Sequence, residues 1–200
     1  MCSEGEWWDV LDAQGAQTGD SFLRGAANWP RGRFHLIVAV CVQREDGAVL
    51  LTQRSASKKE FPFAWEFPGG SALSGESSRD AASRELREET GIDVSPSALT
   101  FVGRFAEASA LLDFYIARHP SNVELTLQQS EVMAAEWVTP QEVVCRLSAG
   151  VMADPWNARL DSLWLPATRA LDMTAERPSN GSGNDRYRSV RAMTSRKSRM

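Results

Sequence analysis

The apolar positions of this chain fall mostly into short runs separated by polar or glycine-rich breaks, a pattern that predicts strands before it predicts helices. Trp7-Trp8-Asp9-Val10-Leu11-Asp12 reads as a short strand that ends in the turn-like stretch Ala13 to Gly19. A second break stands at Asn28-Trp29-Pro30-Arg31-Gly32. Phe34 to Gln43 then predicts a buried strand, because Leu36 to Val42 is continuously apolar. That run is far too short to span a bilayer and has the length of a strand covered on both faces. Glu45-Asp46-Gly47 carries the Asp-Gly signal of a hairpin turn, and Val49 to Gln53 pairs back against the preceding strand.

The pattern changes after Lys58. Lys58 to Pro68 is rich in aromatics and proline and reads as a loop with room for a short strand. A helix follows from about Ser77 to Thr90, with Gly91 as its stop. Leu99 to Phe105, Leu111 to Ala117 and Ala135 to Val138 read as strands. Thr139-Pro140-Gln141-Glu142 has the cap, first-turn proline and acid of a helix N-terminus, and a last helix lies between Pro155 and Leu171. Strands and helices interleave without regular βαβ repeats, so the expected class is α/β, a mixed sheet sandwiched between helices. The expected organisation is an N-terminal strand and lead-in over residues 1–33, a main domain over 34–177, and a disordered basic tail over 178–200. The tail begins Pro-Ser-Asn-Gly-Ser-Gly-Asn and has no apolar period.

Composition narrows the chemistry. Of 200 residues, 42% are hydrophobic and 24% charged, the balance of an ordinary globular protein. The polar, acidic start Met1 to Asp9 lacks the basic-then-apolar order of a secretory leader. Cys2, Cys41 and Cys145 are scattered, and His35 and His119 are the two histidines. This excludes a zinc cage or disulfide framework and fits a reducing, cytoplasmic setting. A metal site here would be built from carboxylates and would take magnesium or manganese. The net charge of −4 includes a tail with Arg186, Arg188, Arg191, Arg196, Lys197 and Arg199 against Asp185, so the body is clearly acidic. An acidic body argues against a general nucleic-acid surface, and no segment suggests a membrane partner.

The segment Gly70 to Ile92 concentrates candidate chemistry. Glu76 follows Gly70, then Arg84-Glu85-Leu86, Glu88-Glu89 and Gly91-Ile92. Glu85, Glu88 and Glu89 share one helix face, where like charges repel and a divalent cation would compensate them. Ala81, Ala82 and Leu86 are left for the buried side. Pro68-Gly69-Gly70 lets backbone pass close to a ligand, and the helix start offers free amides to an anion. A solvated acidic face is the plain alternative, but it leaves the glycine loop and Glu76 unexplained.

The spacing G-x5-E-x7-R-E-U-x-E-E-x-G-U, with U aliphatic, resembles the Nudix box at every specified position. Seven fixed identities make a chance match on the order of one in a million or rarer. Trp65-Glu66-Phe67-Pro68-Gly69-Gly70 extends the likeness. The resemblance implies an α/β/α sandwich and Mg2+- or Mn2+-dependent cleavage of a diphosphate linkage in a small nucleotide-like substrate. It implies metal ligation by Glu88, Glu89 and the Gly69 carbonyl. Glu85 would share the metal or orient the base, Arg84 would hold the glutamates, and Glu76 would pair nearby, with Gly70 and Gly91 structural. A further glutamate from outside the box is common in the family. Glu131 is the candidate here, with Glu107, Asp113 and Glu136 as rivals. Dimers are common in the family, so a homodimer is an open expectation.

A second likeness is wider. Trp8 to Asp12, Gly15, Gly19, Arg24, Phe34-His35-Leu36, Gln53-Arg54-Ser55 and Lys58-Lys59 resemble the isopentenyl-diphosphate isomerase branch. Those isomerases need a cysteine where Gly69 stands and histidines where Ser71 stands and near Asn28, so hydrolysis is the expected activity. His35 reads as a satisfied strand histidine. Loss of catalysis, leaving a ligand-binding module, would leave a degenerate box, and this one is intact. Arg54 and Lys58 are candidates for substrate phosphate, and Trp65 is a candidate for substrate contact. Trp7, Trp8, Trp29, Phe61, Phe63 and Trp65 could stack a base, although most such aromatics pack.

Overall fold

The computed structural model describes residues 5–119 and 124–172. The expected tail, 178–200, lies outside them. A two-stranded antiparallel sheet, β1 (Trp7–Leu11) and β2 (Gln17–Leu23), precedes the main body. The body is a mixed sheet of β3 (His35–Arg44), β4 (Val49–Arg54), β5 (Trp65–Glu66), β6 (Gly69–Ser71), β7 (Thr100–Ala106), β8 (Ala110–His119) and β9 (Val132–Val138). Among the described residues three α-helices accompany it: α1 (Ser78–Thr90), α2 (Pro140–Ser148) and α3 (Trp156–Asp172).

The apolar run at Leu36 to Val42 lies in the middle of the sheet. β3 pairs in parallel with β8, from His35 opposite Ala110 to Arg44 opposite His119, and antiparallel with β4 and β6. Alternate side chains of a strand point to opposite faces. Val38, Val40 and Val42 accordingly pack with Ala81, Ala82 and Leu86 of α1, whereas Ala39 and Cys41 pack with Trp156, Leu160 and Leu163 of α3. Both faces are covered, so both sets of positions must be apolar. Burial pushes the Cys41 thiol up to about 12, which leaves it a small apolar filler at neutral pH. Phe67, Phe114 and Trp156 meet edge to face beneath α3, with ring centroids 5.0–5.7 Å apart.

The helix ends follow their caps. Ser77 accepts from the Asp80 amide at 3.2 Å, and Gly91 ends α1 with φ 76°, a left-handed angle that glycine adopts without cost. At α2, Thr139 and Glu142 form a reciprocal capping box.

The structure departs from the sequence reading at the N-terminus. The turn-like stretch ends early, and β2 begins at Gln17. Its Gln-Thr-Gly-Asp-Ser start is polar, with Thr18 as its one strand-favouring residue, and pairing with β1 imposes its form. β1 is tied to the body through Leu11, whose amide donates to Phe34 at 2.7 Å, and through Asp9, which accepts from Ser74 and Gly75.

Candidate active site

α1 places its acids across a gradient of exposure. Glu89 is 7% exposed, Glu85 is half-buried, and the Glu88 side chain is 46% exposed. The sequence suggested that a cation compensates all three. In the structure, Arg84 already serves two of them. Its Nη1 donates to Glu85 and Glu88, each at 3.0 Å. Nε and Nη2 grip Glu76 bidentately at 2.9 Å, and Nη2 also donates to the Ser71 carbonyl at 3.0 Å. All the guanidinium N–H groups are engaged, a fork that lysine could not reproduce. Arg84 thus ties the box loop, the helix and Glu76 into one unit.

Glu89 is different. It accepts from the Gly69 amide at 3.0 Å, and among the described residues it makes no ion pair. Burial, then the neighbouring charges of Glu66 and Glu85, hold its carboxyl well above the usual range. Burial likewise raises Glu66 and Glu85 against the opposing pull of Arg54 and Arg84. At these three carboxyls the folded protein therefore binds more protons than the unfolded chain. These groups favour folding fully below the unfolded value of about 4.3, and that contribution is lost as pH rises through the raised folded values. In chelator, the stability advantage of Glu89→Gln over wild type should grow from pH 5 to pH 8. Equal melting curves across that range would contradict the buried-charge account.

The glycines are required by close approach. A Cβ on Gly69 would lie 2.1 Å from the Val38 carbonyl oxygen, and one on Gly70 would lie 2.5 Å from the Glu85 carboxyl carbon. The first clash is with backbone and cannot be relieved by a side-chain turn. The loop thereby brings main chain directly against Glu85 and Glu89.

These groups open onto one cleft of about 500 Å3. Glu85, Glu88, Glu89 and Arg84 form one wall with Gly69 and Gly70, and Arg54, Lys58, Glu66 and Glu131 stand in the same cleft. Lys58 bonds Glu131, and Arg54 bonds Glu66 at 2.6 Å. Of the rivals to Glu131, Glu107 also lines the cleft, paired with Arg159 at 2.6 Å. Asp113 is buried against Arg104 and Ser78, and Glu136 pairs with Arg146; neither lines the cleft.

Two expectations change. Trp65 does not line the cleft: it pairs with Gln53 in β5, packs on the core, and has the Arg146 guanidinium 4.5 Å from its ring. The start of α1 faces a separate, smaller cavity with Asp9 and Arg104, so its amides do not serve the main cleft. His35 stacks on Trp8 at 4.1 Å, with Nδ1 2.9 Å from the Ser109 carbonyl oxygen. Burial lowers its pKa, and it lines the cleft as a neutral wall.

Sequence reasoning missed Glu66 and Arg159 as cleft residues, whereas Phe61, one of the aromatics read as able to stack a base, lines the cleft. Glu66 had a signal, a charged residue inside an apolar lead-in. Arg159 had none, since only the placement of α3 brings it there.

Among the described residues, no three acidic, histidine or cysteine side chains already form a finished metal cage. The donor set still fits a hard divalent cation. Buried carboxylates converge with less positive charge than they need, and the donors are oxygens.

The comparisons agree on a family. The NUDIX domain profile matches residues 33–160. An uncharacterized Nudix hydrolase of Listeria monocytogenes is 37% identical over 150 residues, covering 72% of this chain and 86% of that protein. The CTP pyrophosphohydrolase of Escherichia coli is 36% identical over 113 residues, 54% of this chain and 78% of that protein. The isopentenyl-diphosphate Delta-isomerase of Escherichia coli is 30% identical over 156 residues, 74% of this chain and 82% of that protein. With the box on α1, the glycine loop against Glu85 and Glu89, and the mixed sheet between helices, the chain belongs to the Nudix hydrolase family.

Proposed function

We propose that the protein is a divalent-metal-dependent pyrophosphohydrolase that cleaves the diphosphate linkage of a nucleotide or another nucleoside-diphosphate-linked small molecule. The observation that carries this reading is the buried Glu89 carboxylate, unpaired by any cation among the described residues and flanked by Glu66 and Glu85 in an open cleft. Glu85, Glu88, Glu89, the Gly69 carbonyl and Glu131 would hold Mg2+ or Mn2+. A metal held there would supply neutralisation of phosphate charge and a lowered pKa for water.

The protein's own groups supply the rest. Arg54 and Lys58, which line the same cleft, orient the phosphates. Glu85, raised by burial and fixed by Arg84, accepts the proton as water oxygen bonds to phosphorus. The bridging P–O bond breaks, and the leaving group departs as a phosphate. Arg84 itself is a positioning residue, because its donors are all committed to protein oxygens.

An isomerase reading has the N-terminal likeness in its favour and Gly69 against it. Any side chain at position 69, including the cysteine which that chemistry requires, would collide with the Val38 carbonyl. The test is a panel with Mg2+ and Mn2+: nucleoside triphosphates, ADP-ribose, dinucleoside polyphosphates, coenzyme A, NADH and prenyl diphosphates, followed by released phosphate or pyrophosphate. Hydrolysis of at least one member, with no dimethylallyl isomer formed from isopentenyl diphosphate above a metal-only control, is the expected result. Isomer formation without hydrolysis would overturn the reading.

A further inference from the structure

The positive charges of the cleft are already taken. Arg24, Arg54, Lys58, Arg84 and Arg159 are the lysine and arginine side chains among the described residues that line it, and each is paired with a glutamate that lines it too. Lys58 with Glu131 stands apart from the other pairs, which use a guanidinium. An ammonium is a compact charge on a flexible stem and holds a carboxylate in no fixed geometry. Arg54 is fastened by a second bond, from Nε to the Glu60 carbonyl at 3.0 Å, and Arg84 by its full set of donors. The Lys58 and Glu131 side chains are 21% and 36% exposed, and among the described residues neither makes another side-chain hydrogen bond.

The main chain beneath this pair is fixed. The Ser55 amide donates to the Glu131 carbonyl at 2.8 Å, the Lys58 amide to the Ser55 carbonyl at 3.1 Å, and Ser57 Oγ to the Ser130 carbonyl at 3.1 Å. The Glu131 amide donates to the Gln128 carbonyl at 2.8 Å, and the Gln128 amide donates to the Glu89 carbonyl at 3.2 Å. Glu131 is thus anchored between Lys58 and the end of α1, and its carboxylate can exchange one neighbour for the other by side-chain rotation alone. Its charge already reaches α1: burial holds the Glu89 carboxyl high, and Glu66, Glu85 and Glu131 add to the rise.

We propose that the Lys58–Glu131 pair is a latch between the metal site and the substrate phosphate: Lys58 holds Glu131 in the metal-free protein, and when Glu131 turns to a divalent cation shared with Glu89, Lys58 is freed to hold phosphate. This rests on the pyrophosphohydrolase reading and adds a regulation of its site. The physical ground is competition for one carboxylate. A divalent charge doubles the Coulomb attraction of an ammonium at equal distance, and carboxylate oxygen is the ligand that a hard cation takes. Once released, Lys58 exchanges a carboxylate for a phosphate oxygen, so each binding event favours the other. In the empty cleft the pair leaves no lysine unpaired and withholds Lys58 from stray anions.

The test is Mn2+ binding without substrate, followed by water-proton relaxation, for wild type, Lys58→Gln, Glu131→Gln and the double variant. Lys58→Gln should tighten Mn2+ binding about tenfold, the scale of ordinary coupling between sites. Glu131→Gln should weaken it, and in that background Lys58→Gln should add nothing, because the carboxylate that Lys58 held is gone. The mirror measurement is calorimetric binding of methylenediphosphonate in chelator. There Glu131→Gln should tighten binding where Lys58 is present and leave it unchanged where Lys58 is replaced by Gln. Unchanged Mn2+ affinity in Lys58→Gln would overturn the proposal. So would equal tightening with and without Glu131, which is the plain field of one charge removed. Mn2+ binding by wild type without this coupling would sink the latch alone, whereas a wild type that binds no Mn2+ would sink the metal-dependent reading with it.

Discussion

Glu88→Gln and Glu89→Gln are each expected to lower turnover by at least about two orders of magnitude, the scale for losing a charged group that acts in the transition state. Glutamine keeps the volume and helix propensity of glutamate, so packing cannot account for the loss. The two variants should separate in stability. Glu88 is exposed and bonded to Arg84, so its loss should leave the metal-free melting temperature nearly unchanged. Glu89 is buried beside Glu66 and Glu85 without a cation, so removing its charge should raise the metal-free melting temperature. Lower activity with higher stability is the signature of a site arranged for function at the expense of fold. Asp161→Asn, an exposed change on α3, is the control and should alter neither property. Near-wild-type turnover in both glutamine variants would mean that the carboxylate face of α1 is merely solvated surface.

Much of the architecture was legible because burial on two faces imposes a pattern. Leu36 to Val42 could be read as an interior strand without knowing its neighbours. Ser77, Gly91, Thr139 and Glu142 marked helix ends through local hydrogen-bond chemistry that needs no tertiary partner. β2 was not legible, because Gln17 to Ser21 is polar and its strand form comes from pairing with β1. Within the site, the box residues could be read from spacing alone. Their unequal environments could not, since i, i+3 and i+4 positions share a face but not a depth. That depth is set by β6 and the Gly69-Gly70 approach, which buries Glu89 and leaves Glu88 in solvent. Arg84 was expected to hold the glutamates, and the structure adds that it already offsets the charge of Glu85 and Glu88. The place of Trp65 was hidden for a similar reason: an aromatic before a glycine loop looks available, but in the fold the Arg146 guanidinium from α2 lies over its ring. Phe61, one of several aromatics read as able to stack a base, lines the cleft, and its left-handed backbone angle of 48° is visible only in the folded loop.

The second large effect concerns metal removal. An approaching diphosphate meets Glu85, Glu88, Glu89 and Glu131, and each pair of like charges at 4 Å costs about 4 kcal/mol at an effective dielectric of 20. Arg54 and Lys58 offset part of that repulsion, but both are already paired, with Glu66 and Glu131. Arg84 is committed to Glu76, Glu85 and Glu88. The residues described therefore lack enough free positive charge to bring a diphosphate to the wall of α1, and a divalent cation is the group that supplies it. The decisive measurement is the turnover of thoroughly chelated wild-type protein on whichever panel compound it hydrolyses, before and after Mg2+ or Mn2+ is returned. The account predicts a fall to the uncatalysed background and full recovery on adding metal. Undiminished turnover in the chelated protein would contradict it.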